Sequence, residues 1–522
     1  MLMHCLLIYS WPASLTNILE KWIRNFIWSG DIDKRKLVTV AWTNCCKSFS
    51  DGGLGIRSII FLNEASNIKQ CWDLVNSQDH WARLLRSKVL RNGRQISYHI
   101  FSSLWSGLKG VYEDFKQHSS WLIGNGGNIN FWLDNWCGQP LVHSLNIPDW
   151  IHPHLKSTVK AFVVNHQWSI PQALQLAFPN LYNIVQNITI PLGEVEDKTV
   201  WVLNELGDLS LKCAYDYKSS PSQPVHWGKL IWNISIPPSK SLFFWRVIHN
   251  KIPTDDNLIT RGQHLPSICN LCLKHSESSH HLMFECSFAY NIWRWLSFTL
   301  SVPVISNEPS KVQQKNIHWK SSISSIIVDV AFTGNATLKT ASTSMSDFSI
   351  LKAFNIKVHP PKAPLVKEFL WHPPVFNWIK CNTDGASIGV PAMAACGGIF
   401  RNSRSDHLGS FAFNIGEGNA FLAELTGAML AIEIAASKNW VYLWLESDSR
   451  LVVLAFSKPS MVPWRIRNRW MNALLLTKSM RFMATHIYRE GNHCADKLAN
   501  IGLTVQTFTW WDDVHRALSM DF

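Results

Sequence analysis

The C-terminal quarter of the chain predicts an α/β fold, a mixed five-stranded sheet with flanking helices, on three observations. Between about residues 376 and 506, period-two apolar runs alternate with helical runs in the order βββαβαβα. The leading strands are spaced by glycines and polar turns in the manner of hairpins. Two acids, Asp384 and Asp448, close strand patterns that can lie adjacent and parallel, the place where open α/β sheets build their sites.

Each element follows from its own residues. "FNWIKCNTD" reads as a strand ending at Asp384, and "ACGGIF" and "HLGSFAFNI" as the next two around a polar turn. "AFLAELTGAMLAIEIAASKNW" reads as a helix, with Glu424 near its start. "VYLWLESD" is a strand ending at Asp448, "SRLVVLAF" begins a helix, and "PWRIRNRWMNALLL" continues as a basic helical stretch. "RFMATHIY" is another strand, and "NHCADKLANIGL" opens a last helix carrying Asp496.

These acids suggest a chemistry. Glu424 and Glu433 are nine residues apart, about half a turn round a helix, so only one can face the sheet end. Glu424 is the choice, and Glu433 is expected on a solvated face. Four carboxylates brought together repel unless they hold cations, and oxygen-only donors suit Mg²⁺ or Mn²⁺. Two such ions would activate a water and stabilise the leaving oxygen of a phosphodiester.

Upstream, 522 residues make three to four domain-sized units. Residues 1–95 read mainly helical: "SLTNILEKWIRNFIWSG" offers Ser14 as N-cap, an apolar face through Ile18, Trp22 and Phe26, and Gly30 as stop. Residues 96–205 form a Trp-rich connecting region in which "GNGGNINFWLDNWCG" is a turn, a short strand and a turn, with Asp134 structural. Residues 206–296 hold a cysteine/histidine cluster, 297–375 read as a Ser- and Pro-punctuated linker, and 507–522 as a tail.

In "CNLCLKHSESSHHLMFEC", Cys269 and Cys272 form a Cys-x2-Cys pair, and His281 with Cys286 supplies a second. Four such donors fit tetrahedral Zn²⁺ in a structural role. His280, and more weakly His275, are alternatives to His281, since adjacent histidines cannot be separated by spacing. The twelve cysteines otherwise scatter, unlike a secreted disulfide scaffold.

Lys and Arg outnumber Asp and Glu by 49 to 37, a net charge of +12 that favours an anionic partner, nucleic acid first. No protein partner is expected. The N-terminal apolar run lacks a basic flank and is broken by Pro12, so no signal peptide is predicted. Nor is a transmembrane segment, for about eighteen apolar residues never run uninterrupted. The compartment expected is the nucleus or the cytoplasm.

Two resemblances add to this reading. "HWGKLIWNISIPPSKSLFFWRVIHNKIPTDDNLITRG", the cysteine cluster and "AYNIW" resemble the zinc-binding region that follows the polymerase in plant LINE-type (non-LTR) retrotransposon reverse transcriptases. "NFIWSG", "DGGLGIRSI" and "FWLDNW" are similar to the end of such polymerases, but the chain has no Tyr-x-Asp-Asp motif, so no DNA synthesis is expected. "NTDGAS", "AELTGAMLAI", "LESDSRLVV" and "REGNHCADKLA" resemble the plant type of the ribonuclease H family. That resemblance implies a ribonuclease H-like fold and an endoribonuclease cutting the RNA strand of RNA/DNA hybrids to leave a 3′-hydroxyl and a 5′-phosphate. It makes Asp384, Glu424, Asp448 and Asp496 the Mg²⁺ ligands. Many members carry a histidine in the loop before the last Asp; here that loop is shortened to "REGN", and neither His486 nor His493 is placed to replace it. Candidate substrate contacts are Arg465 and Arg469 as a phosphate clamp, with Arg467 beside them. Asn492, Asn414 and backbone groups near Gly385 and Ser387 are candidates for reading 2′-hydroxyls. The second reading is a retroelement-derived nucleic-acid-binding protein with weak turnover or none.

Overall fold

The structure is a computed structural model that describes residues 2–34, 40–91, 94–96, 98–219, 223–303, 319–342, 344–363 and 371–518. It divides into two units, one made of residues 1–10, 63–218 and 367–522 and the other of 11–62 and 219–366.

The first unit is built on a mixed sheet of six strands. In chain order these are β1 (Ile379–Ile388), β2 (Met393–Arg401), β3 (His407–Glu417), β4 (Tyr442–Ser447), β5 (Arg481–His486) and β6 (Thr509–Trp511). The spatial order is β5-β4-β1-β2-β3-β6, with β1, β4 and β5 parallel and the remaining pairs antiparallel. The helices that follow these strands in residues 420–502 are α1 (Ala420–Ser437), α2 (Arg450–Ser457), α3 (Trp464–Thr477) and α4 (His493–Gly502).

The five-stranded expectation is corrected by β6, which pairs Trp510 with Phe411 at the edge of β3. Three residues are too few to show a period, yet two of them are tryptophans, and Trp510 lies against Phe400. A second correction concerns β1, which runs on past Asp384 to Ile388. Its later residues remain paired with β2 after β4 has ended, so Asp384 sits mid-strand.

Two glycines let helices come close enough to place side chains at the sheet end. A Cβ on Gly385 would stand 2.4 Å from the backbone nitrogen of Glu424, so α1 crosses β1 there in near contact. A Cβ on Gly397 would stand 2.5 Å from the backbone nitrogen of Ala499 in α4. Asn419 caps α1, its side chain accepting from the Leu422 amide at 2.9 Å. Among the described residues α1 alone is long and apolar enough to cross a membrane, but most of it is buried. Leu425, Ala428, Met429 and Ile432 belong to the core that Phe400, Phe411, Leu443, Leu445 and Trp470 complete.

Residues 119–207 join the same unit along α3. The Asn468 amide donates to the carbonyls of Ile123 (2.8 Å) and Thr189 (3.2 Å). Asn472 donates to Ile190 O (2.9 Å) and accepts from the Leu192 amide (2.7 Å), while Arg467 donates to Leu206 O (2.8 Å). In this region Phe131, Trp132, Trp136 and Phe162 form an aromatic core. The glycine-rich turn wraps the Asp197 carboxylate with the amides of Gly124, Gly126 and Asn128 at 2.8–2.9 Å, and Asp134 accepts from the Asn130 amide at 2.7 Å.

In the second unit, the helix Ala13–Ser29 differs from its expected cap and face. Pro12 precedes it without a side-chain cap, and Gly30 ends it with a left-handed φ of 79°. Its buried residues are the polar Thr16, Glu20 and Asn25, whereas Ile18, Trp22 and Phe26 are exposed. Glu20 turns inward because it accepts from the Ser58 hydroxyl and, at 3.0 Å, from the Ile59 amide. The segment read as a linker carries the helices Trp319–Asn335 and Met345–Ala353, whose apolar spacing its serines interrupt; residues 304–318, 343 and 364–370 of that segment, and 519–522 of the tail, lie outside the described residues.

Candidate functional site: a carboxylate cluster and a cysteine/histidine cluster

The register of the parallel strands brings the first two acids together. Ser447 at the end of β4 pairs with Thr383 of β1, so Asp384 and Asp448 follow each other's neighbours at the same level. The close crossing at Gly385 adds Glu424, and one ligand oxygen from each of these three acids lies within 4.8 Å of the others. Asp384 is 4% exposed. Its Oδ1 accepts from the Gly385 amide at 2.8 Å, and Glu424 Oε2 accepts from the Ser447 hydroxyl at 3.4 Å.

Burial first, and then mutual repulsion, raises all three carboxyls. Burial, then the charge of Asp448, pushes Asp384 up to about 7. Burial, then the charges of Asp384 and Asp448, pushes Glu424 up to about 10. Asp448 is raised as well, by burial first, while Arg489 opposes the rise. Asp448 Oδ1 is buried without a hydrogen-bond partner. An orphaned carboxylate oxygen among neighbouring acids fits a hard divalent cation, which would supply the missing bond and remove the repulsion.

Asp496, in the first turn of α4, stands outside that group of three. Its Oδ1 lies 3.2 Å from Arg489 Nη2, and its Oδ2 accepts from Asn500 at 3.3 Å.

The expected substrate contacts are placed differently. Arg469 is half-buried and bound through two nitrogens to Glu433, at 2.8 and 2.7 Å, so it is engaged rather than free for a phosphate, and Glu433, equally half-buried, is ion-paired rather than left to solvent alone. The two lie on α3 and α1, which pack together, an adjacency that helical spacing within one segment does not reveal. Arg465 is exposed beside the Trp464 ring. Asn492 is 1% exposed and turned inward. It donates to Thr383 O at 3.0 Å and accepts from the Asn382 amide at 3.3 Å. Asn414 donates to Val505 O at 3.1 Å, and the Ser387 hydroxyl to Gly418 O at 3.0 Å. His486 lies with Nε2 3.1 Å from Asp448 O, and His493 is exposed.

Sequence reasoning missed the buried ionic layer on the Asp384 side of the sheet. Lys380, 1% exposed, lies 3.0 Å from Glu446 Oε1, and its ammonium sits 3.6 Å from the centre of the Trp444 ring. Asn382 donates to Glu446 Oε2 at 3.1 Å and accepts from Arg401 at 3.1 Å. The signal was present: Lys380, Asn382 and Asp384 alternate, so the strand period puts all three on one face.

In the second unit, Cys269, Cys272, His281 and Cys286 bring one donor atom each to within 4.8 Å of one another. The thiols of Cys269 and Cys286 are 3.9 Å apart, and Cys272 Sγ is 3.3 Å from His281 Nε2. A tetrahedral zinc with arms of about 2.3 Å has edges of about 3.8 Å, so the donor set fits. The Leu273 amide closes the Cys-x2-Cys turn on Cys269 O at 2.8 Å. His281 is buried, whereas His280 is exposed with Nδ1 3.2 Å from Glu285, which separates the two histidines.

Fold and clusters together describe a chain with a reverse transcriptase-like zinc-binding region followed by a ribonuclease H-like region. The family described as zinc-binding in reverse transcriptase matches residues 209–293, and the family described as reverse transcriptase-like matches residues 382–502. An Arabidopsis thaliana protein whose name provisionally designates it a ribonuclease H protein is 25% identical over 97% of this chain and 88% of its own length. An uncharacterized mitochondrial protein of the same plant is 33% identical over 21% of this chain and 75% of its own length, and the chain belongs to that protein's family. Among solved structures, ribonuclease H1 from the halophilic archaeon Halobacterium salinarum NRC-1 is 29% identical over 24% of this chain and 97% of that one, with a TM-score of 0.23.

Proposed function

We propose that this protein is a metal-dependent endoribonuclease that cuts the RNA strand of RNA/DNA hybrids, with no polymerase activity, and that it descends from a LINE-type plant retroelement. The observation that carries the reading is the convergence of Asp384, Glu424 and Asp448 at the end of the parallel strands, with one buried oxygen left without a partner. The match of residues 382–502 to a reverse transcriptase-like family and the homology to the plant protein support it.

Asp384, Glu424, Asp448 and Asp496 would hold two Mg²⁺ or Mn²⁺ ions. Such a pair supplies an activated water and charge stabilisation for an in-line displacement at phosphorus. The chain's own part is to fix the carboxylates. The Gly385 amide orients Asp384, the Ser447 hydroxyl holds Glu424, and the protons kept by Asp384 and Glu424 must leave before cations enter. Cys269, Cys272, His281 and Cys286 would hold Zn²⁺ in a structural role, four protein donors leaving no position for water. The net charge of +12 favours a polyanionic substrate.

The test is hydrolysis of a labelled RNA/DNA hybrid by the full chain with Mg²⁺ or Mn²⁺, beside Asp448→Asn. Cleavage in the parent should fall by more than about 100-fold in the variant. Undiminished cleavage by Asp448→Asn would refute the assigned site. A folded parent that binds hybrid without cutting it would leave the nucleic-acid-binding reading in place.

A further inference from the structure

The face of the sheet that carries Asp384 also holds a layer of charged and aromatic side chains that the proposed chemistry does not use. Asn382 on β1 and Glu446 on β4 stand directly opposite each other in the register, each two residues before an acid, and are hydrogen-bonded at 3.1 Å. Lys380 meets the other oxygen of Glu446 at 3.0 Å, and its ammonium faces the Trp444 ring. Two residues of the segment read as a linker complete the layer. Trp371 donates its indole N–H to Asn382 Oδ1 at 3.0 Å, the oxygen that also accepts from Arg401. The Trp371 ring lies 3.9 Å from the Arg401 guanidinium and 5.0 Å from the Lys380 ammonium, an arrangement in which the π-face attracts both cations. His372 accepts from Lys380 through its carbonyl at 2.7 Å.

We propose that Trp371 is a positioning residue of the carboxylate site, sealing the layer that holds β1 and β4 at a fixed spacing where Asp384 and Asp448 project. The inference rests on the nuclease reading above. The pairing of β1 with β4 ends at Thr383 and Ser447, so the ladder stops one residue short of both acids. Like charges there push the strand ends apart until a cation joins them. On this face the side-chain tie nearest the acids is Glu446, held by Asn382 and Lys380. Such a tie is strong only while water is kept from it. Lys380, Asn382, Arg401 and Glu446 are all buried, whereas Trp371 is partly exposed, so its ring stands at the boundary between the layer and solvent. Without that ring water reaches the layer, the hold on Glu446 weakens, and a cation must draw the two acids together as it binds.

The experiment compares the parent, Trp371→Phe, Trp371→Ala and Asp448→Asn as full chains. Mn²⁺, which takes the same oxygen donors as Mg²⁺, is titrated into each without nucleic acid and its binding read by electron paramagnetic resonance. Hybrid cleavage is measured over a range of Mg²⁺, and stability by urea titration. Trp371→Ala should bind Mn²⁺ about 10-fold more weakly and need about 10-fold more Mg²⁺ for half-maximal cleavage, while the rate at saturating Mg²⁺ and the KM for hybrid stay within about 2-fold of the parent. Trp371→Phe, which keeps a ring over Arg401 but has no N–H for Asn382, should lose about 3-fold in Mn²⁺ affinity. A residue that only stabilised the fold would lower the urea midpoint and leave the cation affinity of the folded protein unchanged. Parental Mn²⁺ affinity in Trp371→Ala, whatever its midpoint, therefore overturns the proposal, as does a lost rate that excess Mg²⁺ does not restore. If Trp371→Ala does not fold, parental affinity in Trp371→Phe overturns it instead. Mn²⁺ binding and hybrid cleavage that persist unchanged in Asp448→Asn refute the nuclease site itself, as does a parent that takes up no Mn²⁺. Their loss in Asp448→Asn, with parental affinity in Trp371→Ala, refutes only the role of Trp371.

Discussion

Asp384 and Glu424 spend folding free energy on being adjacent. Their carboxyls are held at about 7 and about 10, with burial the largest cause in each, so the folded protein keeps protons that the unfolded chain releases near pH 4. A carboxyl raised on folding contributes stability below its unfolded value and loses it as pH rises toward its folded value. In chelator-treated protein the unit that holds the sheet should therefore become less stable from about pH 4 to 7, by roughly 3 kcal/mol from Asp384, with Glu424 extending the slope toward pH 10. Asp384→Asn should flatten the lower part of the slope. Mg²⁺ should stabilise most at the alkaline end, where the acids are ionised and the cation binds the folded form. Urea titrations at pH 5, 6, 7 and 8, with and without Mg²⁺, check this; metal-free stability that rises with pH would mean that the acids do not share one site. Asp384, Glu424 and Asp448 were legible as a group from the sequence because each sits at a fixed phase of its own element, whereas Asp496, expected with them, stands outside the group. Arg489 and the Lys380–Glu446 pair were not, since their meaning lies in partners 7 and 66 residues away that only the fold brings near.

At the scale of elements, α3 shows how a helix pattern can be read correctly and its purpose missed. "WRIRNRW" is helical as expected, and its arginine spacing suggested a phosphate clamp. Instead, the side chains of Asn468 and Asn472, four residues apart on one face, meet the backbone of residues 123 and 189–192, and the Trp464 backbone amide at the helix start donates to Glu205 O. Asparagine is well suited to this, since one amide can satisfy carbonyls at the irregular edge of a loop-rich region. Asn468 is buried, so Asn468→Ala leaves the carbonyls of Ile123 and Thr189 without that donor. The expected cost is about 2 kcal/mol, read as a lower midpoint in urea and faster amide exchange in residues 119–124. An unchanged midpoint would show that the seam contributes nothing. The sheet elements were legible because period-two runs and a long apolar helix are local patterns. β6 and the asparagine seam were not, being three residues and two side chains whose roles depend on distant chain.

For the whole molecule, the two clusters belong to different units, the carboxylates to the one with residues 367–522 and the thiols to the one with residues 219–366. They also differ in what they would do for stability. The sheet unit has an extended apolar core around Phe400, Met429, Leu445 and Trp470, sufficient to hold its strands without a cation. Around the cysteines the buried apolar cluster is small, with Cys269, Cys286 and Ala289 at its centre and Leu271, Leu282, Phe288 and Trp293 against it. Where so little surface is buried, metal binding is itself the main source of folding free energy. A zinc-selective chelator that leaves Mg²⁺ bound should therefore raise amide exchange in residues 267–296 by more than about 10-fold while the amides of β1, β2 and β4 keep their protection. Cys272→Ser should reproduce the effect without chelator, and the metal content of purified protein should fall from one zinc per chain toward none. Uniform loss of protection through the sheet would instead mean that the cysteine cluster supports the fold of both units, and no change anywhere would mean that the four donors stand together without a metal role.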